Sequence, residues 1–231
     1  MIVQIYAVTS VEQALTMASL GVDHVGFVAG RYNQVHAEVS FDRAREMVDA
    51  LRDRATSSAL TMSTEPAEII RMARAVQPDI VHISSDTEAV SVATLQQVRQ
   101  ALPASMALMK AIDVTGPESI GTAQRFAGMA DFLLLDTKVA GLPGVGATGL
   151  THDWQISRQI VSMVSGQAHV ILAGGLTPEN VEEAINTTNP WGVDSNTGTN
   201  IPADPVVKDL GQVEAFVRRA KYGRPERRRQ S

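Results

Sequence analysis

Short apolar runs of β type alternate along this chain with longer segments whose apolar residues recur at helical spacing. The first run, 2–8, precedes a segment in which Ser10 is placed to cap a helix that Gly21 ends. Runs of the same kind follow at 24–28, 59–62, 80–83, 106–110, 132–135, 169–172 and 192–194. The pattern predicts eight strands, each followed by a helix.

Eight strands alternating with helices over 231 residues predict an α/β protein of the (β/α)8 barrel type. A doubly wound open sheet is the alternative that the pattern alone leaves open. In a barrel, the loops that follow the strands form the active face. Chemistry-bearing residues at strand ends are therefore the ones to examine.

The composition fits one domain, because a chain of this length with 44% hydrophobic residues can bury a large core. We expect residues 1–222 to form the barrel. Basic residues crowd the end of the chain, and Gly223 and Pro225 break any helix there. Residues 223–231 are therefore expected to be a disordered basic tail.

Several function classes are excluded by composition. Cysteine is absent, so disulfides, thiolate metal sites and cysteine nucleophiles are ruled out. No metal-binding histidine spacing occurs, and we expect neither a metal nor another cofactor. A net charge of -5 argues against nucleic-acid binding. The chain has no apolar run of membrane-spanning length and no signal peptide, so a cytoplasmic location is expected.

Three glycine-bearing turns in the second half predict a phosphate site. Glycine lets the backbone approach an anion closely, and N–H groups at a following helix start point at it. We expect a phosphorylated small molecule to bind there. The residues assigned to this site are Gly146, Gly149, Gly174, Gly175, Asp194, Thr197 and Gly198. Asp136 ends the apolar run that precedes the first of these turns.

With these motifs in order, the chain resembles the phosphoribosylanthranilate isomerases, barrel enzymes that perform an Amadori rearrangement in tryptophan biosynthesis. The likeness covers nearly the whole chain and is strongest at 21–28, 134–138, 146–154, 173–181 and 192–198. It implies a barrel of the ribulose-phosphate-binding type. It also implies an aldose-to-ketose isomerase that acts on a phosphoribosyl amine.

By resemblance, Asp136 is the general acid that protonates the ribose ring oxygen; the alternative is that it only caps the following loop. The family's cysteine base is missing, and Tyr6 stands in its place. A phenol with a pKa of about 10 is only about 0.1% ionised at neutral pH. Tyr6 can act as the base only if its pKa is strongly lowered; otherwise it donates a hydrogen bond to substrate or simply packs.

The side of the site opposite the phosphate departs further from the family. His82 and His36 both fall at or near the rim, and either is a candidate for the missing base. Each has a plain alternative: His82 as a hydrogen-bonded barrel histidine and His36 as a solvated loop residue. Arg31 is the substitute for the arginine that pairs with the anthranilate carboxylate in the family.

Two other kinds of function stay open on the sequence alone. Lys110 ends the fifth predicted strand and Lys138 follows the sixth, an arrangement compatible with a Schiff-base aldolase. A divergent barrel that isomerises, epimerises or cleaves a different phosphorylated sugar is the main alternative, and a binding protein without turnover is another. The pattern is compatible with a monomer or a homodimer.

Overall fold

A computed structural model describes residues 1–33, 37–137, 151–204 and 206–223. Several residues singled out by the sequence lie outside these ranges, namely His36, Lys138, Gly146, Gly149 and the basic segment 224–231. The assignments made to them stay predictions.

A closed parallel barrel forms the centre of the molecule. The strands of the described residues are β1 (Ile2–Ile5), β2 (His24–Ala29), β3 (Glu38–Val39), β4 (Thr56–Thr61), β5 (Ile80–Ile83), β6 (Ala107–Asp113), β7 (Phe132–Asp136), β8 (His169–Leu172) and β9 (Gly192–Ser195). Closure follows from β1, which pairs in parallel with both β2 and β9. The predicted (β/α)8 barrel is therefore confirmed, and the open sheet is not formed.

Helices lie between the barrel strands and cover the outer face of the barrel. Their bounds are α1 (Val11–Ser19), α2 (Phe41–Leu51), α3 (Pro66–Val76), α4 (Val92–Ala101), α5 (Glu118–Ala127), α6 (Trp154–Met163), α7 (Val181–Thr188) and α8 (Leu210–Tyr222). The predicted cap of α1 is present, because the Ser10 hydroxyl accepts from the Gln13 N–H at 3.1 Å. Such a cap stabilises a helix by about 1 kcal/mol.

The strands differ from the sequence prediction in several places. The first strand ends at Ile5 rather than at residue 8. The two-residue β3, which pairs with the end of β2, is too short to be recognised from an apolar run. β6 continues to Asp113, because its last residues stay paired with β7. Lys110 therefore lies within β6 and does not end the strand.

Side chains alternate between the barrel interior and the helix layer, as the period of a strand requires. Leu134 packs in a cluster inside the barrel, whereas its neighbours Leu133 and Leu135 pack in the larger core with the helices. Asp136 therefore points to the interior at the carboxyl end of β7. The same rule places the side chains of Tyr6 and Asp194 inside the barrel.

Gly26 makes room for Tyr6 at the top of the barrel. A Cβ atom built on Gly26 falls inside van der Waals contact with three carbons of the Tyr6 ring. Tyr6 is only 5% exposed. A side chain at position 26 and a phenol ring at position 6 therefore exclude each other.

We expect Gly26→Ala to lower the free energy of unfolding by about 1–3 kcal/mol, the usual range for an overpacked core. Urea denaturation at neutral pH measures it. The same change should cost less in a Tyr6→Ala background, since the clashing ring is gone. Equal costs in both backgrounds would contradict the packing argument. Gly121→Ala is the control: it lies in α5 with open space around it and should stabilise by roughly 0.5–1 kcal/mol.

Candidate active site

Asp136 is the last residue of β7 and is only 8% exposed. Its Oδ1 accepts a hydrogen bond of 2.7 Å from the Thr137 N–H. Burial raises the pKa of this carboxyl to about 8, and the nearby Asp194 and Asp113 carboxylates raise it further, against the effect of the Thr137 bond. The carboxyl group is therefore mostly protonated at neutral pH, as a general acid must be.

A second buried carboxyl group lies on β9. The Gln4 Nε2 donates to Oδ1 of Asp194 at 3.1 Å. Burial raises the pKa of Asp194 to about 7, although the Gln4 bond and the charge of Lys208 act in the opposite direction. Burial thus raises the pKa of both carboxyl groups towards neutral pH, and the Asp194 charge raises the pKa of Asp136 further.

Tyr6 is held by two hydrogen bonds. Its hydroxyl lies 2.6 Å from the Ser58 Oγ and 2.8 Å from the His82 Nδ1. Burial raises the pKa of Tyr6 well above 10, and the Asp194 charge adds to this effect, whereas the Ser58 bond lowers it. The lowered pKa that a tyrosine base requires is therefore not found.

His82 lies inside the barrel near the end of β5 and is 2% exposed. Its ring makes an edge contact with Tyr6, with the ring centres 5.4 Å apart. Its Nε2 is buried and has no hydrogen-bond partner among the residues that the structure describes. Burial lowers the pKa of His82 to about 3, and the positive charge of Lys110 lowers it further, so the imidazole is neutral over the physiological range.

The described part of the predicted phosphate site is built from backbone. Gly174 and Gly175 follow β8 with φ of +82° and +62°, conformations that favour glycine. Their N–H groups donate to no other described backbone carbonyl. Thr197 and Gly198 begin a 3-10 helix, Thr197–Thr199, where the first N–H groups lack an intrahelical acceptor. This helix begins on the predicted turn itself.

Lys208 makes hydrogen bonds to the residues on either side of the turn that contains Thr197 and Gly198. Its Nζ donates to the Asn196 carbonyl oxygen at 3.2 Å, to the Asn196 Oδ1 at 3.1 Å and to the Asn200 Oδ1 at 2.6 Å. Burial lowers the pKa of Lys208 to about 7, while the Asp194 charge acts to raise it. The same ammonium group therefore makes hydrogen bonds to this turn and interacts electrostatically with the buried Asp194.

The structure does not bring Arg31 and Lys110 into the cluster formed by the other candidates. Arg31 is exposed just after β2 and makes no hydrogen bond or ion pair with a described residue. The Nζ of Lys110 donates to the carbonyl oxygens of Ser85 and Ala111 at 2.5 and 2.8 Å and lies 5.8 Å from the Phe126 ring of α5. A fully buried, hydrogen-bonded ammonium of this kind is poorly placed to form a Schiff base.

Three other described histidines have structural contacts or lie at the surface. His24 is buried, with Nδ1 3.3 Å from the Gln4 Oε1. His152 bridges the Thr137 and Ser157 hydroxyl groups at 3.0 and 2.7 Å. His169 is exposed on its strand.

The cluster of Asp136, Asp194, Tyr6 and His82 also includes Gln4, Ser58 and Lys208, which the sequence analysis did not identify. Strand alternation carries a signal for Gln4, because it lies two residues before Tyr6 and so shares its face. Ser58 lay outside the predicted strand, which began at residue 59. Lys208 reaches the cluster from the long loop after β9, which no periodicity describes.

The fold is a closed parallel barrel, and a protonated carboxyl group and glycine turns lie together at the ends of its strands. These features define a (β/α)8 barrel of the enzyme type. The chain belongs to the N-(5'-phosphoribosyl)anthranilate (PRA) isomerase family, whose family model matches residues 3–219. The family resemblance of the sequence is thereby confirmed.

Individual relatives agree with this membership. The chain is 35% identical over 219 residues to N-(5'-phosphoribosyl)anthranilate isomerase 2 of Methanosarcina mazei, covering 95% of this chain and 93% of the relative. It is 34% identical over 222 residues to the isomerase of Haloferax volcanii, covering 96% and 94%. Among solved structures, phosphoribosyl anthranilate isomerase from Thermotoga maritima has a TM-score of 0.79 at 26% identity, covering 96% of this chain and 99% of that one.

A structure of the isomerase in complex with reduced 1-(o-carboxyphenylamino)-1-deoxyribulose 5-phosphate, abbreviated rCdRP, is also similar. It has a TM-score of 0.77 at 25% identity and covers 96% of this chain and 99% of that one. In the described part of the present chain, no helix is long and apolar enough to cross a membrane. Nor do the described His, Asp and Glu residues form a group of three that suits a metal ion.

The raised pKa of Asp136 makes stability depend on pH. The folded chain holds this proton more tightly than the unfolded chain, so the stabilisation is full below pH 4 and is lost as pH rises through about 8. Asp136→Asn should therefore reduce the fall in unfolding free energy between pH 5 and pH 8, by about 1 kcal/mol or more. Urea denaturation at the two pH values measures this change.

The control is Glu88→Gln, which removes an exposed carboxylate and should leave the pH dependence unchanged. An Asp136→Asn protein with the same pH dependence as the parent would show that Asp136 is ionised in the folded state at pH 5.

Proposed function

We propose that this chain isomerises N-(5'-phosphoribosyl)anthranilate to the corresponding 1-amino-1-deoxyribulose phosphate, an Amadori rearrangement. The observation that carries the proposal is the buried, protonated Asp136 at a strand end beside glycine turns. Family membership supports this substrate over a different phosphorylated sugar. The same membership supports a role in tryptophan biosynthesis, and we propose a cytoplasmic location with it.

In the first step Asp136 is the general acid. Its proton goes to the ribose ring oxygen as the bond from that oxygen to C1' breaks. The nitrogen lone pair then forms the C1'=N bond of an iminium ion. A pKa of about 8 suits this role, because the group is protonated at neutral pH and still acidic enough to donate.

The second step needs a base that removes the proton from C2'. Tyr6 fits poorly because its pKa is raised, and His82 fits poorly because a pKa of about 3 makes it a weak base. We assign the base role to Asp194, whose pKa of about 7 leaves it substantially ionised at neutral pH. Loss of the C2' proton gives the enol, which rearranges to the ketone with a proton added at C1'.

The phosphate is assigned to the N–H groups of Gly174, Gly175, Thr197 and Gly198, and the sequence-based assignment of Gly146 and Gly149 to the same group stays a prediction. Such N–H groups bind a dianion without an arginine. Arg31 stays the proposed partner of the anthranilate carboxylate, since its exposed position just after β2 leaves its guanidinium available. One related isomerase, from Thermotoga maritima, is described as dimeric; this chain is proposed to be a monomer or a homodimer.

Fluorescence-detected turnover of PRA tests the two carboxyl groups. The pH profile of kcat/KM should be bell-shaped, rising through about 7 as Asp194 ionises and falling above about 8 as Asp136 loses its proton. Asp136→Asn should lower kcat by 100- to 10,000-fold while rCdRP still binds. Asp194→Asn should lower kcat and remove the acidic limb. Glu88→Gln is the control and should match the parent.

An absence of both turnover and rCdRP binding would overturn the proposed function. Turnover that survives Asp136→Asn would instead overturn the assignment of the acid.

A charge placed in the phosphate turn tests the binding assignment. Thr197 is exposed, so Thr197→Glu and the matched neutral variant Thr197→Gln should both fold. The glutamate should weaken rCdRP binding by roughly tenfold or more, because two like charges near a protein surface repel by about 1–4 kcal/mol at close range. Thr197→Gln should bind within a fewfold of the parent. Isothermal titration calorimetry measures both, and equal affinities for the two variants would contradict the assignment.

A further inference from the structure

Ser58, Tyr6 and His82 form a short hydrogen-bonded chain inside the barrel. The Tyr6 hydroxyl lies 2.6 Å from the Ser58 Oγ and 2.8 Å from the His82 Nδ1. All three side chains are buried, with Ser58 fully so. Within the described structure, no other residue makes a hydrogen bond to these three side chains. Their protons are therefore distributed among four polar atoms, which are the two hydroxyl oxygens and the two ring nitrogens of His82.

Counting donors fixes the direction of the chain. Each hydroxyl has one proton and a neutral imidazole has one N–H. If Ser58 donates to Tyr6 and Tyr6 donates to the His82 Nδ1, both hydroxyl protons are used. The only polar group that this direction leaves unpaired is the Nε2–H of His82. In the reverse direction the Nδ1–H donates, so both the Ser58 hydroxyl proton and the Nε2 lone pair have no partner among the described residues. Unpaired buried polar groups are destabilising, so the first direction is favoured.

This direction determines the tautomer of His82. The imidazole accepts at Nδ1, so its proton is on Nε2. The nearby Lys110 ammonium and the burial of the ring disfavour a second proton and lower the pKa of His82. The Tyr6 phenol stays protonated because burial raises its pKa. A neutral imidazole with a fixed N–H is the result.

The Nε2–H of His82 is then a buried donor with no partner in the described structure. Buried polar groups are nearly always paired, and the exceptions call for an explanation such as a missing ligand. His82 lies on the inward face near the carboxyl end of β5, at the same end of the barrel as Asp136. Substrates of (β/α)8 barrels bind at this end.

We infer that the His82 Nε2–H donates a hydrogen bond to a pentose oxygen of the substrate, and that Ser58 and Tyr6 are positioning residues that hold His82 in the required tautomer. The identity of the acceptor as a pentose rests on the proposed function. His82 acts here as a neutral donor that orients the sugar, and takes no proton from it. A neutral imidazole with a depressed pKa is suited to this use.

The inference explains why Tyr6 stands at a position where the family has a cysteine base. A thiol is a weak hydrogen-bond donor. The phenol hydroxyl of Tyr6 lies 2.8 Å from the His82 Nδ1 and is a stronger donor. By this inference, the side chain at position 6 orients His82 and does not transfer a proton.

Nitrogen NMR of protein labelled with 15N-histidine tests the tautomer without any substrate. We expect His82, assigned by its loss in His82→Gln, to show a protonated Nε2 and an unprotonated Nδ1 from pH 5 to pH 9. In Tyr6→Phe the Nδ1 loses its donor, so the two tautomers should become mixed. An Nδ1–H tautomer or an imidazolium in the parent would overturn the inference. An unchanged tautomer in Tyr6→Phe would overturn the positioning role of Tyr6.

Ligand titration then tests the acceptor. Saturating rCdRP should shift the His82 Nε2 resonance, while the exposed His169 serves as the internal control. Binding of rCdRP with no change at Nε2 would overturn the inference and leave the proposed function standing. If rCdRP does not bind, the proposed function fails, and ribose 5-phosphate becomes the probe. A shift at Nε2 with ribose 5-phosphate would then support the donor role alone, and no shift would overturn it.

Kinetics separate a donor from a base. His82→Leu should lower kcat/KM for PRA on the order of 10- to 100-fold with no change in the shape of the pH profile. His82→Gln keeps an N–H donor and should recover most of this loss. Loss of a limb of the pH profile in His82→Leu would show that His82 transfers a proton, contrary to the inference.

Discussion

The structure depends on closure of the parallel barrel through β1, which pairs with β2 on one side and β9 on the other. Closure fixes the register of every strand, and register decides which side chains face inward. A slip of one residue in a strand would turn its inward side chains toward the helices. Asp136, Asp194 and Tyr6 share the interior only because three separate strands keep this register.

Burial in the interior then determines the charge of each group. Desolvation is the largest effect on all of the perturbed carboxyl, phenol and imidazole groups of the cluster. It favours the neutral form in each case, which keeps Asp136 protonated, Tyr6 a phenol and His82 an imidazole. Asp194 has the lower pKa of the two carboxyl groups because Gln4 and Lys208 partly offset its burial.

The sequence was sufficient to predict the fold and the strand-end candidates, because both follow from local patterns. Eight apolar runs predicted eight barrel strands, and the glycines at 174 and 175 adopt the positive φ that the turn required. The protonation states could not be predicted in this way, since they depend on contacts between distant strands. The bond of Tyr6 to His82 joins residues 76 positions apart, and no periodicity indicates it.

The two halves of the site differ in what carries their chemistry. The proposed phosphate half consists of backbone N–H groups, which a change of side chain leaves in place as long as the turns keep their glycines. The other half uses side chains, so one substitution alters its chemistry directly. A tyrosine in place of a thiol at position 6 would leave a buried hydroxyl without an acceptor unless a neighbour supplied one. His82 supplies it, and because its own pKa is low it does so as a neutral ring. Changes at these two positions are therefore physically coupled.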